Sequence, residues 1–173
     1  MNSKKHIIYK GLHRPFPFKI KGLNRIDEHI FRKTFKFTDS CRYNLYNEDQ
    51  LDWNKLYGVS FGLFGIHRNS VRFVWRYNLT EHNIEIGAYW YIDGYRNYYK
   101  LCSIEINNTI NFKLAFLHDS VIFTVLDDLI PIGKYVLYMD EHILRKQKYE
   151  CGIYFGGNRK ATQKIEIIEY KEI

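Results

Sequence analysis

VRFVWRYNLTEHNIEIGAYWYIDGYRNYYKLCSIEI, residues 71–106, decides the fold. Within it residues 84–92 alternate: Ile84, Ile86, Ala88, Trp90 and Ile92 fall on one parity, Glu85, Gly87, Tyr89 and Tyr91 on the other. A period of two marks a strand with one face in the core, because successive side chains leave the pleated backbone in opposite directions. Asp93-Gly94 follows at once. That dipeptide accepts the positive φ of a tight type I′ turn, and another β-rich run then returns. The strand before it alternates too, Val71, Phe73, Trp75 and Tyr77 against Arg72, Val74 and Arg76. The pattern predicts a sheet with one apolar side and a second side carrying Arg72, Arg76, Glu85, Tyr89 and Tyr91. This second side is the candidate ligand-binding face.

Outward from this centre the chain keeps the same rhythm. Residues 30–38 set Phe31, Lys33, Phe35 and Phe37 against Arg32, Thr34 and Lys36, a strand with one inserted charge. Residues 43–46 read as an extension of the sheet. Residues 47–55 read as one short helix: Asn47 suits the N-cap, Glu48 and Asp49 the first turn, and Lys55 the end. After Gly58 the spacing predicts strands near residues 59–65, 110–117, 121–126, 135–139, 149–155 and 163–170. Gly156-Gly157-Asn158-Arg159-Lys160 between the last two reads as a hairpin turn, a better fit than a phosphate cradle, which needs a strand–loop–helix context. Nine or ten short strands at this spacing imply an all-β, mostly antiparallel sandwich or barrel. The predicted organisation is a basic N-terminal arm over residues 1–28 and a single β domain over residues 29–173.

The arm is a matter of charge. The chain of 173 residues carries 26 Lys and Arg against 19 Asp and Glu, a formal net charge of +7. No acidic residue precedes Asp27, whereas Lys4, Lys5, Lys10, Arg14, Lys19, Lys21 and Arg25 all do. From Asp27 on the chain is therefore neutral, and the excess sits before it. Such an arm suits phosphates or acidic partners, nucleic acid among them, or is a solvated tail. Pro15 and Pro17 impose extended backbone on it, and Phe16 and Phe18 are placed to dock it as an edge strand or on a neighbouring subunit. An oligomer is thus left open.

Cys41, Cys102 and Cys151 are odd in number and widely spaced, which argues against a disulfide framework or a zinc site and for a reducing compartment. No apolar run has the roughly 18 residues of a membrane helix, and the N-terminus shows no secretory h-region. The histidines form no H-x-H or H-x-x-x-H pair, so no metal and no cofactor is expected.

Two motif groups carry a resemblance. Asp52-Trp53-Asn54-Lys55-Leu56-Tyr57-Gly58 with His67-Arg68-Asn69-Ser70-Val71-Arg72-Phe73-Val74-Trp75, and Tyr154-Phe155-Gly156-Gly157-Asn158, resemble the NKLxG…HxxSxRxxW…YFGGN pattern of a small uncharacterised bacterial and phage family. The Ala-Pro usual after the last motif is Ala161-Thr162 here. More remotely, an aromatic-Phe-Gly-Gly turn before the final strand resembles the closing strands of concanavalin-A-like jelly rolls, some polysaccharide lyases included. The resemblance implies an antiparallel jelly-roll β-sandwich, a sheet that holds sugar chains, and a place in a bacterial cytoplasm or a virion.

Enzyme chemistry finds little support in the residues. No strand has the paired acids of a retaining glycosidase. Arg72, Arg76, Tyr89 and Tyr91 match part of an alginate-lyase-like set, Arg to neutralise a uronate and Tyr as acid or base, but the Gln-x-His strand is missing. There is no G-x-S-x-G elbow. The reading favoured by the sequence is a non-enzymatic module binding a glycan or a protein through the Arg/Tyr face. The alternatives are a phage- or mobile-element-encoded protein that meets nucleic acid or a host nucleoprotein complex, as a defence inhibitor or virion component, and a small polysaccharide lyase.

Overall fold

A computed structural model describes residues 2–17, 25–26, 29–63 and 65–171. Among them, twelve strands form two six-stranded antiparallel sheets. The first sheet runs in the order β1 (Ser3–Ile8), β12 (Ile165–Tyr170), β3 (Ile30–Phe37), β8 (Thr109–Phe116), β9 (Ser120–Asp127) and β10 (Ile130–Tyr138). The second runs β2 (Arg25–Ile26), β11 (Lys148–Cys151), β4 (Asn54–Phe61), β5 (Ser70–Asn78), β6 (Asn83–Ile92) and β7 (Tyr95–Ile104). One turn of helix, α1 (Glu141–Leu144), carries the chain from β10 in the first sheet to β11 in the second.

The alternation in residues 71–106 builds the second sheet as expected. Val71, Phe73, Trp75, Ile84, Ile86 and Ala88 are fully buried. Asp93 at φ 50° and Gly94 at φ 87° make the tight turn, with Ile92 opposite Tyr95. The inward side chains meet those of the first sheet as an aromatic layer. Phe73 stands edge-on to Phe112 and Phe123, each with ring centroids 5.2 Å away, and stacks on Tyr57 at 5.3 Å. Each such ring contributes roughly 1.5–3 kcal/mol by leaving water, and edge-on contacts add to it.

Lys33 is the charge inserted among the apolar residues of β3, and the sandwich answers it with carboxylates from both sheets. Lys33 Nζ lies 2.6 Å from Glu169 Oε1 in β12 and 2.8 Å from Glu150 Oε1 in β11. His6 Nε2 of β1 sits 2.5 Å from the second Glu169 oxygen. Burial opposes the Lys33 charge, yet Glu150 and Glu169 outweigh it and raise its pKa. Burial likewise opposes the Glu169 charge, and His6 and Lys33 reverse that to hold its carboxyl far below the usual range.

Four expectations need correction. The helix expected over residues 47–55 is a single 3-10 turn, Glu48–Leu51, capped by the Asn47 side chain on Asp49 N at 3.1 Å. Trp53 is extended and β4 starts at Asn54, so the strand expected from residue 59 begins five residues earlier. Residues 43–46 are not strand: Tyr43 turns its ring into the core against Trp75 and Phe155. Residues 156–160 are no hairpin turn. They cross between the sheets, from β11 in the second to β12 in the first, and Asn54 Oδ1 receives the Gly156 N–H at 2.5 Å.

Candidate functional site

Strand pairing in the second sheet sets three rows of side chains on its outer face. Arg76 stands opposite Glu85, Arg72 opposite Tyr89, which in turn stands opposite Tyr98, and Tyr91 opposite Arg96. The five residues picked from parity are therefore brought together on one face. They do not lie open, however. Arg72 and Tyr89 are each 4% exposed and Glu85 5%, while Arg76 and Tyr91 are half-buried. Arg72, Glu85 and Tyr89 form the floor of the candidate face and do not themselves reach solvent.

What covers the floor comes from either side in sequence. Trp53, leading into β4, lays its indole over the sheet. The seat is Gly87, where a Cβ would come within 3.2 Å of that ring and 3.1 Å of Val74. Arg76 caps the same indole with its guanidinium 4.3 Å from the ring centroid, and Tyr98 flanks it at 5.9 Å. The Lys55 ammonium sits over the Tyr89 ring at 5.1 Å, with Arg72 5.9 Å from that centroid. Beyond these, Arg96, Tyr98 and Lys100 of the edge strand β7 are exposed. The accessible rim is thus Lys55, Tyr91, Arg96, Tyr98 and Lys100.

The electrostatics are lopsided. Lys55, Arg72, Arg76, Arg96 and Lys100 supply five cations, and the single carboxylate among the paired rows, Glu85, is taken by Arg76 Nε at 2.6 Å and Lys100 Nζ at 2.6 Å. Burial would raise the Glu85 carboxyl, but hydrogen bonds from Lys100 and Arg76 prevail and hold it low. For Lys55 the balance goes the other way: burial first, and Arg72 next, push its ammonium down to about 8, and Asp52 only partly offsets them. Burial and the Tyr91 hydroxyl raise the Tyr89 phenol well above its ordinary value. Arg72 Nη2 reaches Ile66 O at 3.0 Å, whereas its buried Nε, like Trp53 Nε1, meets no acceptor among the described residues. Buried donors without partners cost about 1–3 kcal/mol each.

The cations of the arm are dispersed instead of gathered. Lys4 and Lys5 lie in β1, where Lys5 pairs with Glu166 at 3.1 Å; Arg25 lies in β2, at the edge of the other sheet. The Arg14 guanidinium lies 5.8 Å from the Tyr154 ring centroid, Lys10 is exposed, and Phe16 bridges to Ile7. Lys19, Lys21 and Phe18 fall outside the described residues. Among the described residues no three His, Cys, Asp or Glu side chains are grouped to hold a metal.

Parity reasoning missed Trp53, Lys55, Arg96, Tyr98 and Lys100. A signal for the last three was present, since positions 96, 98 and 100 share a parity in the returning strand. Trp53 and Lys55 were hidden by their assignment to a helix.

No family model matches the chain, and no curated protein matches it. Solved structures do. An alginate lyase from Klebsiella pneumoniae superposes with a TM-score of 0.64 at 9% identity, covering 82% of this chain and 57% of that one. A double mutant of alginate lyase Aly36B in complex with alginate trisaccharide superposes with a TM-score of 0.62 at 12% identity, covering 96% and 78%. A second Aly36B double mutant, in complex with alginate tetrasaccharide, gives 0.60 at 11%, with the same coverage. The chain spans a little over half the length of the Klebsiella enzyme. At these identities the likeness is one of fold. The chain is an antiparallel β-sandwich of the jelly-roll kind.

Proposed function

We propose that the outer face of the second sheet binds an acidic glycan. The observation that carries this reading is five cations and four aromatic rings gathered over one sheet, with Glu85 already neutralised by Arg76 and Lys100 and Asp52 beside Lys55 as the other carboxylate that acts on them. Guanidinium groups match carboxylate and sulfate through paired N–H donors, and ammonium groups serve as point charges. Exposed Tyr98 gives a flat apolar surface for a sugar ring. The module reading extends the glycan-or-protein alternative of the sequence toward the glycan. Membership of the bacterial and phage family that the motifs resemble fits it, as does virion placement. The test is calorimetric titration with uronate and sulfated oligosaccharides against neutral ones. Acidic ligands bind, and binding weakens with salt; equal affinity for neutral sugars refutes the reading.

A second reading rests on Lys55 and Tyr89. An amine held down to about 8 beside a phenol held high is a base–acid pair. In a uronate chain, neutral Lys55 would take the C5 proton and the rim hydroxyl of Tyr91, which accepts the Tyr89 O–H at 3.4 Å, would protonate the departing oxygen at C4, leaving a C4–C5 double bond. Absorbance of that unsaturated uronate appearing on incubation with acidic polysaccharide, and lost in Lys55→Met, supports it; silence across acidic polysaccharides removes it.

A further inference from the structure

The loop leading from β3 to β4 holds a feature that the sheet face does not use. Tyr46 has φ 59°, and the residue is 88% exposed. Left-handed backbone is uncommon for a bulky residue and costs of itself, so it persists where surroundings impose it. Here they do so. Asn44 Oδ1 takes the Tyr46 N–H at 2.8 Å, and Gln50 Oε1 takes the Leu45 N–H at 2.9 Å. Gln50 is itself buried and anchored on Tyr77 O at 2.9 Å. The molecule thus fixes an aromatic ring outward at a conformational cost.

Beside it opens a cleft of about 420 Å³ whose lining includes Arg42, Asn44, Tyr46, Leu79, Thr162 and Gln163. This is a size that takes a sugar unit or two. Its walls are set: Gln163 Nε2 donates to Ser40 O at 2.9 Å and to Arg42 O at 2.8 Å, which leaves the Gln163 carbonyl oxygen as that side chain's acceptor. Arg42 hydrogen-bonds the Tyr77 side chain as well as Asp39. Its Nε contact with Asp39 Oδ1 is long, 3.4 Å, and both groups are exposed.

We propose that this cleft is a second saccharide site, separate from the sheet face, taking an acidic sugar unit with its ring on Tyr46 and its carboxylate or sulfate toward Arg42. Amide, hydroxyl and guanidinium groups around one exposed ring suit a hydroxyl-rich ligand. A nucleobase could stack on the same ring, and the thymidine arm of the test distinguishes it.

The experiment is a titration of the full isotope-labelled chain, followed by amide resonances, with a galacturonate oligomer, a neutral glucose oligomer and a thymidine oligomer. The galacturonate oligomer shifts residues 42–46 and 162–163. Tyr46→Asn weakens those shifts by roughly tenfold and leaves Tm unchanged or raised, because Asn accepts left-handed backbone. Shifts at Tyr98 report the sheet face in the same spectra, so the two sites succeed or fail separately. No shift at the cleft, shifts surviving in Tyr46→Asn, a lower Tm in that variant, an equal response to the glucose oligomer, or a response to thymidine alone overturns the proposal.

Discussion

Arg76 and Glu85 stand directly opposite each other on β5 and β6, with Arg76 Nε 2.6 Å from Glu85 Oε2. Lys100 holds the other carboxylate oxygen, also at 2.6 Å, and Asn78 Nδ2 adds a contact at 3.1 Å. One buried carboxylate therefore ties three strands and lets a cation-rich face exist without flying apart. Removing it leaves Arg76 and Lys100 to repel each other. Glu85→Gln lowers stability by about 1.5–3 kcal/mol in urea unfolding, the range for hydrogen bonds to charged groups. The folded carboxyl lies below its ordinary value of 4.5. Its contribution is full above that value and is lost as pH falls through the lower, folded value. The acid limb of wild-type stability is consequently shallower in Glu85→Gln.

Inside the sandwich, Lys33 balances Glu150 and Glu169. Lys33→Met removes the cation that Glu150 and Glu169 share between the sheets, leaving Glu169 to His6, and breaking a buried pair from one side costs about 3–5 kcal/mol. The loss is read from urea midpoints. A loss under about 1 kcal/mol, the scale of exposed ion pairs, would mean that the carboxylates reach water.

Much of this was legible in the sequence, and the exceptions have physical causes. Alternation around Asp93-Gly94 placed Arg72, Arg76, Glu85, Tyr89 and Tyr91 on one outer face, because pleat geometry fixes direction. Depth is not a local property. Arg72 and Tyr89 lie under Trp53, Lys55 and Tyr98, which arrive from other strands. Trp53 and Lys55 were misplaced because Asn47 to Asp49 is a true capping sequence, and sheet pairing of Asn54 with Trp75 overrides propensity after one turn. Lys33 sat visibly on the apolar parity of β3, but its partners lie 117 and 136 positions downstream, at Glu150 and Glu169.

Gly58 shows how closely the floor is built. A Cβ there would meet Val71 O at 2.1 Å and Arg72 Cα at 2.5 Å, both backbone atoms. Gly58→Ala forces β4 from β5 and lowers stability by about 1–3 kcal/mol. Because the added methyl also strikes the Arg72 stem at 2.9 Å, the variant weakens acidic-glycan binding as well; unchanged Tm and affinity would contradict the packing described.

Lys55 gives the face a pH signature. Its ammonium is held down to about 8 against an ordinary 10.5. Between those values the unfolded chain binds the proton that the folded chain has released, so stability rises with pH across the window. Affinity for an anion moves oppositely, falling as pH rises through about 8. Lys55→Met abolishes both trends in calorimetric titrations and melts run from pH 7 upward.

The account turns on acidic-glycan recognition by the rim of the second sheet, and the direct measurement is calorimetric affinity for a uronate oligomer in wild type and in the Arg96→Ala/Tyr98→Ala double variant. Both side chains are exposed on edge strand β7, so the fold is kept and far-UV circular dichroism stays the same. The account predicts saturable, salt-weakened binding in wild type and a loss of roughly tenfold or more in the variant. Equal affinity in the two proteins, or no binding in wild type to any acidic glycan, would contradict it.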